Sequence, residues 1–225
     1  MTVLPASGAT TPEAVPQVPA PEYQLFREFG VGQVSGEGYG RRAVAKVIDF
    51  VVFNIVVFLA AIPSTVVLMV VGAAIGLSGD VVTARLGETT FMSLVLSTLT
   101  VISYFTIFEW LSGTTPGKLA LGMAVVTEDL EPCPLGAAVK RNVLLLLELL
   151  AWSIPAVLAI RNSHRAQRHG DRWAGTIVAR RADVPAALWG SPGRFLIAGL
   201  AAVAAIVVLT GLSLLLKAIP AFAGA

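Results

Sequence analysis

The sequence predicts an all-α integral membrane protein with about three spanning helices, a re-entrant or interfacial helical hairpin, and a small cytoplasmic β element. Three observations carry that expectation. Hydrophobic residues make up 56% of the 225 and charged residues only 13%, and the mean hydropathy is +0.79, far from the balance of a water-soluble domain. The apolar residues come in blocks longer than a soluble core helix requires. Lys and Arg gather in particular segments between those blocks, the distribution that sets membrane orientation.

Residues 1–40 are rich in Pro, Ala, Gly and Thr, and Pro5, Pro12, Pro16, Pro19 and Pro21 break any helix, so a disordered cytoplasmic tail is expected there. It lacks a basic start followed by an apolar run, so the first span is expected to act as its own insertion signal. That span is the run from Val44 to about Leu77, interrupted by Pro63. It is long enough to cross a ~30 Å hydrocarbon core kinked or tilted. Phe91 to Leu111 makes the second span, and Phe195 to Leu216 the last, in a 182–225 segment that follows the main membrane domain of residues 41–181. Val143 to Ile160 is short for a span and carries Glu148 and Pro155. On either side lie Gly122–Thr127 and Gly175–Arg180, β-branched and alternating enough to pair as strands.

Orientation follows from the basic residues beside the spans. Arg27, Arg41, Arg42 and Lys46 precede or open the first span, whereas only Arg85 lies between the first two, so the N-terminus is expected in the cytoplasm of a multi-pass cell-membrane protein. Arg161, Arg165, Arg168, Arg172, Arg180, Arg181 and Arg194 form the heaviest basic cluster. A third run that spanned would put that cluster outside. A bend at Pro155 that returns the chain to the cytoplasmic side removes the conflict, since non-helical backbone at membrane depth is tolerated where helices bury it.

Arg42 and Asp49 stand seven residues apart on the first helix, within about 20° of one face. Asp49 is expected in the hydrocarbon layer with Arg42 as its electrostatic partner, because an intramembrane carboxylate normally faces a partner, protein or water. Antiparallel packing brings Glu109 to the level of Arg42 and Lys46. The alternative is that Arg42 and Lys46 snorkel to lipid phosphates. Glu148 follows Arg141 by the same seven-residue spacing, either as a second intramembrane acid or as a group pointing to water.

Taken in order, Arg42, Ala45, Ile48 and Asp49, then Glu109, then Thr115-Pro116-Gly117-Lys118, Gly122 and Val125, and finally Gln167-Arg168-His169-Gly170-Asp171-Arg172-Trp173-Ala174-Gly175-Thr176 resemble the RDD family of membrane proteins. The family is named for an arginine and two aspartates, matched here by Arg42, Asp49 and Asp171, and the resemblance covers roughly Gly38 to Arg181. It implies a role in transport, monovalent cation/proton exchange being proposed for some members, and fixes no substrate. Asp171 then either closes the cytoplasmic mouth as an ion-pair partner or caps a helix starting at Arg172.

Thr115-Pro116-Gly117-Lys118 lacks the length of a phosphate loop and is expected to be a turn anchoring Lys118 at the headgroups. Cys133 has no base near it in sequence, and His164 and His169 have no metal-ligand spacing, so no enzyme activity, cofactor or metal is expected. Nucleic acid is not an expected partner. The expected partners are a bilayer with anionic headgroups and further protein, as a homo-oligomer or as an accessory or scaffolding subunit of a larger membrane complex, because few helices in one copy barely enclose a pathway.

Overall fold

The computed structural model describes residues 34, 36–88, 90–150, 154–163, 165–185 and 190–223, with the side chains of 85, 146–150, 154 and 219–223 outside the description. The expectations for residues 1–33, and for the side chain of Glu148, therefore lie outside the described residues. Three helices are long and apolar enough to cross a membrane: α1 (Tyr39–Ala74), α3 (Phe91–Ser112) and, over residues 192–218, α8 (Pro192–Ala223). Together they confirm the all-α membrane class. At ~1.5 Å per residue α1 is roughly 54 Å long, well beyond a ~30 Å hydrocarbon core, so one end extends past the apolar layer. Pro63 lies within α1.

Between the first two spans lies α2 (Gly79–Gly87), an element the apolar pattern alone did not announce. Lys217 Nζ near the end of α8 donates to the Leu86 carbonyl at 3.1 Å, a cation on the negative end of a short helix. The three spans share a core of Phe53, Ala60, Tyr104, Phe105, Phe108, Ala198, Ala202 and Ile206, which Leu145 also joins. Small residues on α8 let it approach α3 closely, as helix packing without a hydrophobic driving force requires.

After α3 come a single turn, α4 (Pro116–Ala120), then β1 (Met123–Thr127), α5 (Leu135–Leu150), α6 (Ile154–Arg161), α7 (His169–Ala174) and β2 (Thr176–Arg180). The strands pair, as expected, and they run antiparallel with Val125 opposite Val178. Both faces of this ribbon are covered. Ala124, Val126, Ile177 and Ala179 pack with Val34, Leu130 and Val184, while Met123, Val125 and Val178 pack with Ala45, Cys133, Ala137 and Ala138. Burial on both faces leaves the first four residues of each strand buried rather than alternately buried and exposed. The edges are occupied too, by Glu37 N–H on the Val178 carbonyl and Val125 N–H on the Gly113 carbonyl, both 2.7 Å, which removes exposed ladder groups.

The segment after Arg141 leaves and returns. Beyond Arg141, α5 runs for about 14 Å and α6 is about 12 Å long, too short to cross the bilayer. Arg141 before the excursion and Asp171 after it meet at 3.2 Å. Hence 142–170 is a hairpin that ends at the level where it began. Pro155 is the second residue of α6, where its missing N–H is tolerated.

Candidate functional site

The charged residues named above converge where α3 ends, and their pairing differs from the expected one. Arg42 does not pair with Asp49. Its guanidinium donates to Asp171 and, at 2.8 Å, to the Ala166 carbonyl. Asp49 instead receives the turn that follows α3: Thr115 Oγ1 donates to one carboxylate oxygen and the Gly117 N–H to the other, each at 2.6 Å. The physical reason is the local chemistry of that turn. Thr115 is the N-cap of α4 and Pro116 its first residue, a standard helix start whose exposed N–H groups attract an anion.

Gly117 makes the approach possible, because a Cβ there would overlap the Ala45 carbonyl of α1. By the same contacts Asp49 stands level with the turn that follows α3. Asp49, Glu109 and Asp171 are each fully buried.

Lys118 is also corrected. It is 7% exposed and its Nζ pairs with Glu109, so it points into the protein and not to headgroups. Glu109 accepts a second cation, Arg141 Nε at 3.0 Å, and the Asn142 amide at 2.8 Å. Arg141, 1% exposed, then bridges to Asp171 at 3.2 Å and donates to Thr176 Oγ1 at 3.1 Å. Asp171 also accepts from Arg168 Nε at 3.1 Å. The result is one continuous chain of ion pairs, Lys118 to Glu109 to Arg141 to Asp171 to Arg42, that ties α4, α3, α5, α7 and α1 together.

Asp171 combines both readings offered for it, with one correction. The helix begins at His169, so Asp171 is its third residue and accepts the Arg168 N–H at 3.2 Å, the acidic half of a capping arrangement. Burial alone would raise its carboxyl, but the Arg42, Arg141 and Arg168 guanidiniums outweigh that and hold it well below the usual carboxylate range. Gly170 lets α7 lie against α5, since a Cβ there would come within 2.9 Å of the Arg141 carbonyl.

Lys46 stands apart from the chain of pairs. Its ammonium lies over the Phe105 ring, 3.3 Å from the centroid, a cation–π contact. Cys133 is buried, and burial pushes its thiol up to about 11, so at neutral pH it is not a nucleophile. Among the described residues no group of three His, Cys, Asp or Glu side chains gathers to hold a metal. The residues that sequence reasoning did not single out as site members are Thr115, Gly117, Asn142 and Arg168. Only Thr115-Pro116 carried a local signal, that of a helix start.

This fold, three candidate spans with a buried charge cluster built on a hairpin and a two-stranded ribbon, defines a multi-pass membrane protein of the RDD class. The chain belongs to the RDD family, whose sequence model matches residues 37–175. No curated protein and no solved structure matches it.

Proposed function

We propose that this RDD protein resides in the cell membrane with its N-terminus cytoplasmic and serves a non-enzymatic transport role along the seam between α1, α3 and α8. The observation that supports it is a pair of cavities lined in part by polar side chains, one along the seam and one beside it between α1 and the hairpin, with an aromatic layer between them. Between the middle of α1, the first half of α3 and the second half of α8, a cavity of about 270 Å³ is lined by Ser97, Thr100, Thr210, Ser213 and Lys217 together with Phe53 and Val57. The other lies in the charge cluster, bounded by Arg42, Lys46, Lys118, Arg141 and Arg168.

Between them Tyr104 packs edge-on against Phe53, Phe105 and Phe108 at 5.4, 5.0 and 5.1 Å. The buried Tyr104 and Thr106 hydroxyls have no hydrogen-bond partner among the described residues. A buried polar group left dry is unfavourable, and water or a passing solute would satisfy both.

Tyr104→Phe is therefore the informative variant. Removing an unpaired hydroxyl leaves stability unchanged or slightly higher, whereas ion flux in reconstituted vesicles should fall several-fold. Unchanged flux would remove Tyr104 from the path. For monovalent cation/proton exchange at Asp49, the carboxylate must release Thr115 and Gly117, so Asp49→Asn should lose flux and stability together. Wild-type vesicles without flux for any monovalent ion would overturn the transport role.

The accessory-subunit reading would then lead. It is favoured by the long outward face of α1, where Val47, Val51, Ile55, Phe58 and Ile62 are exposed to lipid or to another subunit. Purification in mild detergent separates the two readings, a homo-oligomer supporting transport and a stoichiometric larger complex supporting the accessory role. Orientation is tested in a Cys133→Ser background with single cysteines at Ser78 and Ser163 and an impermeant thiol reagent on intact cells. Ser78→Cys should label and Ser163→Cys should not, and labelling of the latter would reverse the assignment of its side.

A further inference from the structure

The cavity in the charge cluster measures about 80 Å³ and is lined by Tyr39, Arg42, Ala43 and Lys46 of α1, Lys118, Arg141, Leu145, Ala156, Ile160 and Arg168. That is several times the ~10–15 Å³ one ordered water requires. Its composition is one-sided. Five cationic side chains face it, and the cluster holds three carboxylates, Asp49, Glu109 and Asp171, among the described residues. Asp49 is held by Thr115 and Gly117, while Glu109 and Asp171 are held by Lys118, Arg141, Arg42 and Arg168. The positive excess falls at Lys46, which pairs with no carboxylate among the described residues.

Lys46 also has a second environment. It opens a groove of about 610 Å³ along the outer face of α1, whose other lining residues are Val47, Phe50, Val51, Asn54 and Ile55. Polar cavity and apolar groove thus meet at one cation that rests on the Phe105 ring. Tyr39 and the flanking Val44 and Val47 are exposed, so the mouth opens sideways on α1 rather than along the seam.

We propose that this junction is a binding site for a single anionic phospholipid, its phosphate in the cationic cavity against Lys46 and its acyl chain along the α1 groove. The phosphate is recognised by charge-assisted hydrogen bonds from Lys46 and the nearby guanidinium edges, and the chain by apolar contact with Val47, Val51 and Ile55. A free phosphate would fill the cavity but leave the groove unused, which is why the lipid-borne anion is favoured. The assignment is independent of whether a solute crosses the protein.

The test is native mass spectrometry of the full-length protein in detergent, titrated with dioleoyl phosphatidylglycerol, dioleoyl phosphatidylcholine or inorganic phosphate. One lipid per chain should bind with phosphatidylglycerol favoured about tenfold over phosphatidylcholine. Lys46→Met should weaken phosphatidylglycerol five- to tenfold, the size expected for one interfacial cation, and Lys46→Arg should restore it. Lys140→Gln, which removes a cation beside Trp173 on the far face of α5, should change nothing. Melting curves confirm that each variant is folded. Equal affinity for the two lipids, or Lys46→Met binding like wild type, would overturn the site. Displacement of the lipid by millimolar phosphate would overturn the lipid-borne source in favour of a free anion.

Discussion

Asp171→Asn should destabilise the charge-cluster half of the protein by about 3–5 kcal/mol, the range for removing one partner from a buried ion pair. Asp171 is fully buried and meets three guanidiniums, those of Arg42, Arg141 and Arg168. The asparagine amide would turn N–H groups toward at least one of them and leave like charges facing each other in a dry site. Thermal unfolding in detergent measures the loss, with exposed Asp183→Asn as a control within about 0.5 kcal/mol. The pH dependence has a defined sign. Because the folded-state pKa of Asp171 is depressed, its contribution is in place above the ordinary Asp range near ~4 and is lost as pH falls below it. The gap between wild type and Asp171→Asn should therefore be widest at neutral pH and narrow in acid.

Gly117→Ala should be nearly as damaging, by roughly 2–5 kcal/mol from overpacking together with the loss of donors to a buried acceptor. The new Cβ would overlap the Ala45 carbonyl and come within 3.0 Å of Asp49 Cγ. One neighbour is helix backbone, so α4 must move away from α1. That movement breaks the Gly117 N–H and Thr115 hydroxyl bonds to Asp49. Gly136→Ala is the contrasting case: nothing lies within 4 Å of a Cβ there, and alanine in α5 should be neutral or better by up to ~1 kcal/mol. Comparable melting of the two variants would remove the close approach from the explanation.

Much of this fold was legible because its determinants are local. Phe91–Ser112 and the long α1 announce themselves by length and hydropathy alone. Gly122–Thr127 and Gly175–Arg180 could be read as a pair of strands because both are short, β-branched and alternating. The hairpin followed from the seven arginines after Ile160, a charge argument that needs no structure. Three things were not legible. The amphipathic α2 is too short and too mildly apolar to rise above a loop. The partner of Asp49 was misread because seven-residue spacing places Arg42 on the same face but ~10 Å away along the axis, beyond direct pairing, while a turn 66 residues downstream lies in contact. Lys118 was misread as a headgroup anchor because its carboxylate, Glu109, is brought to it by the reversal between α3 and α4.

The central claim is that the family's arginine and two aspartates do separate jobs: Arg42 serves Asp171 and closes the hairpin onto α1, while Asp49 serves the turn after α3. Two double-mutant cycles share one arm and test it directly. Arg42→Gln with Asp171→Asn should show a coupling of about 1.5 kcal/mol or more in thermal or denaturant unfolding, whereas Arg42→Gln with Asp49→Asn should be additive within about 0.5 kcal/mol. A coupling between Arg42 and Asp49 as large as that between Arg42 and Asp171 would contradict the account.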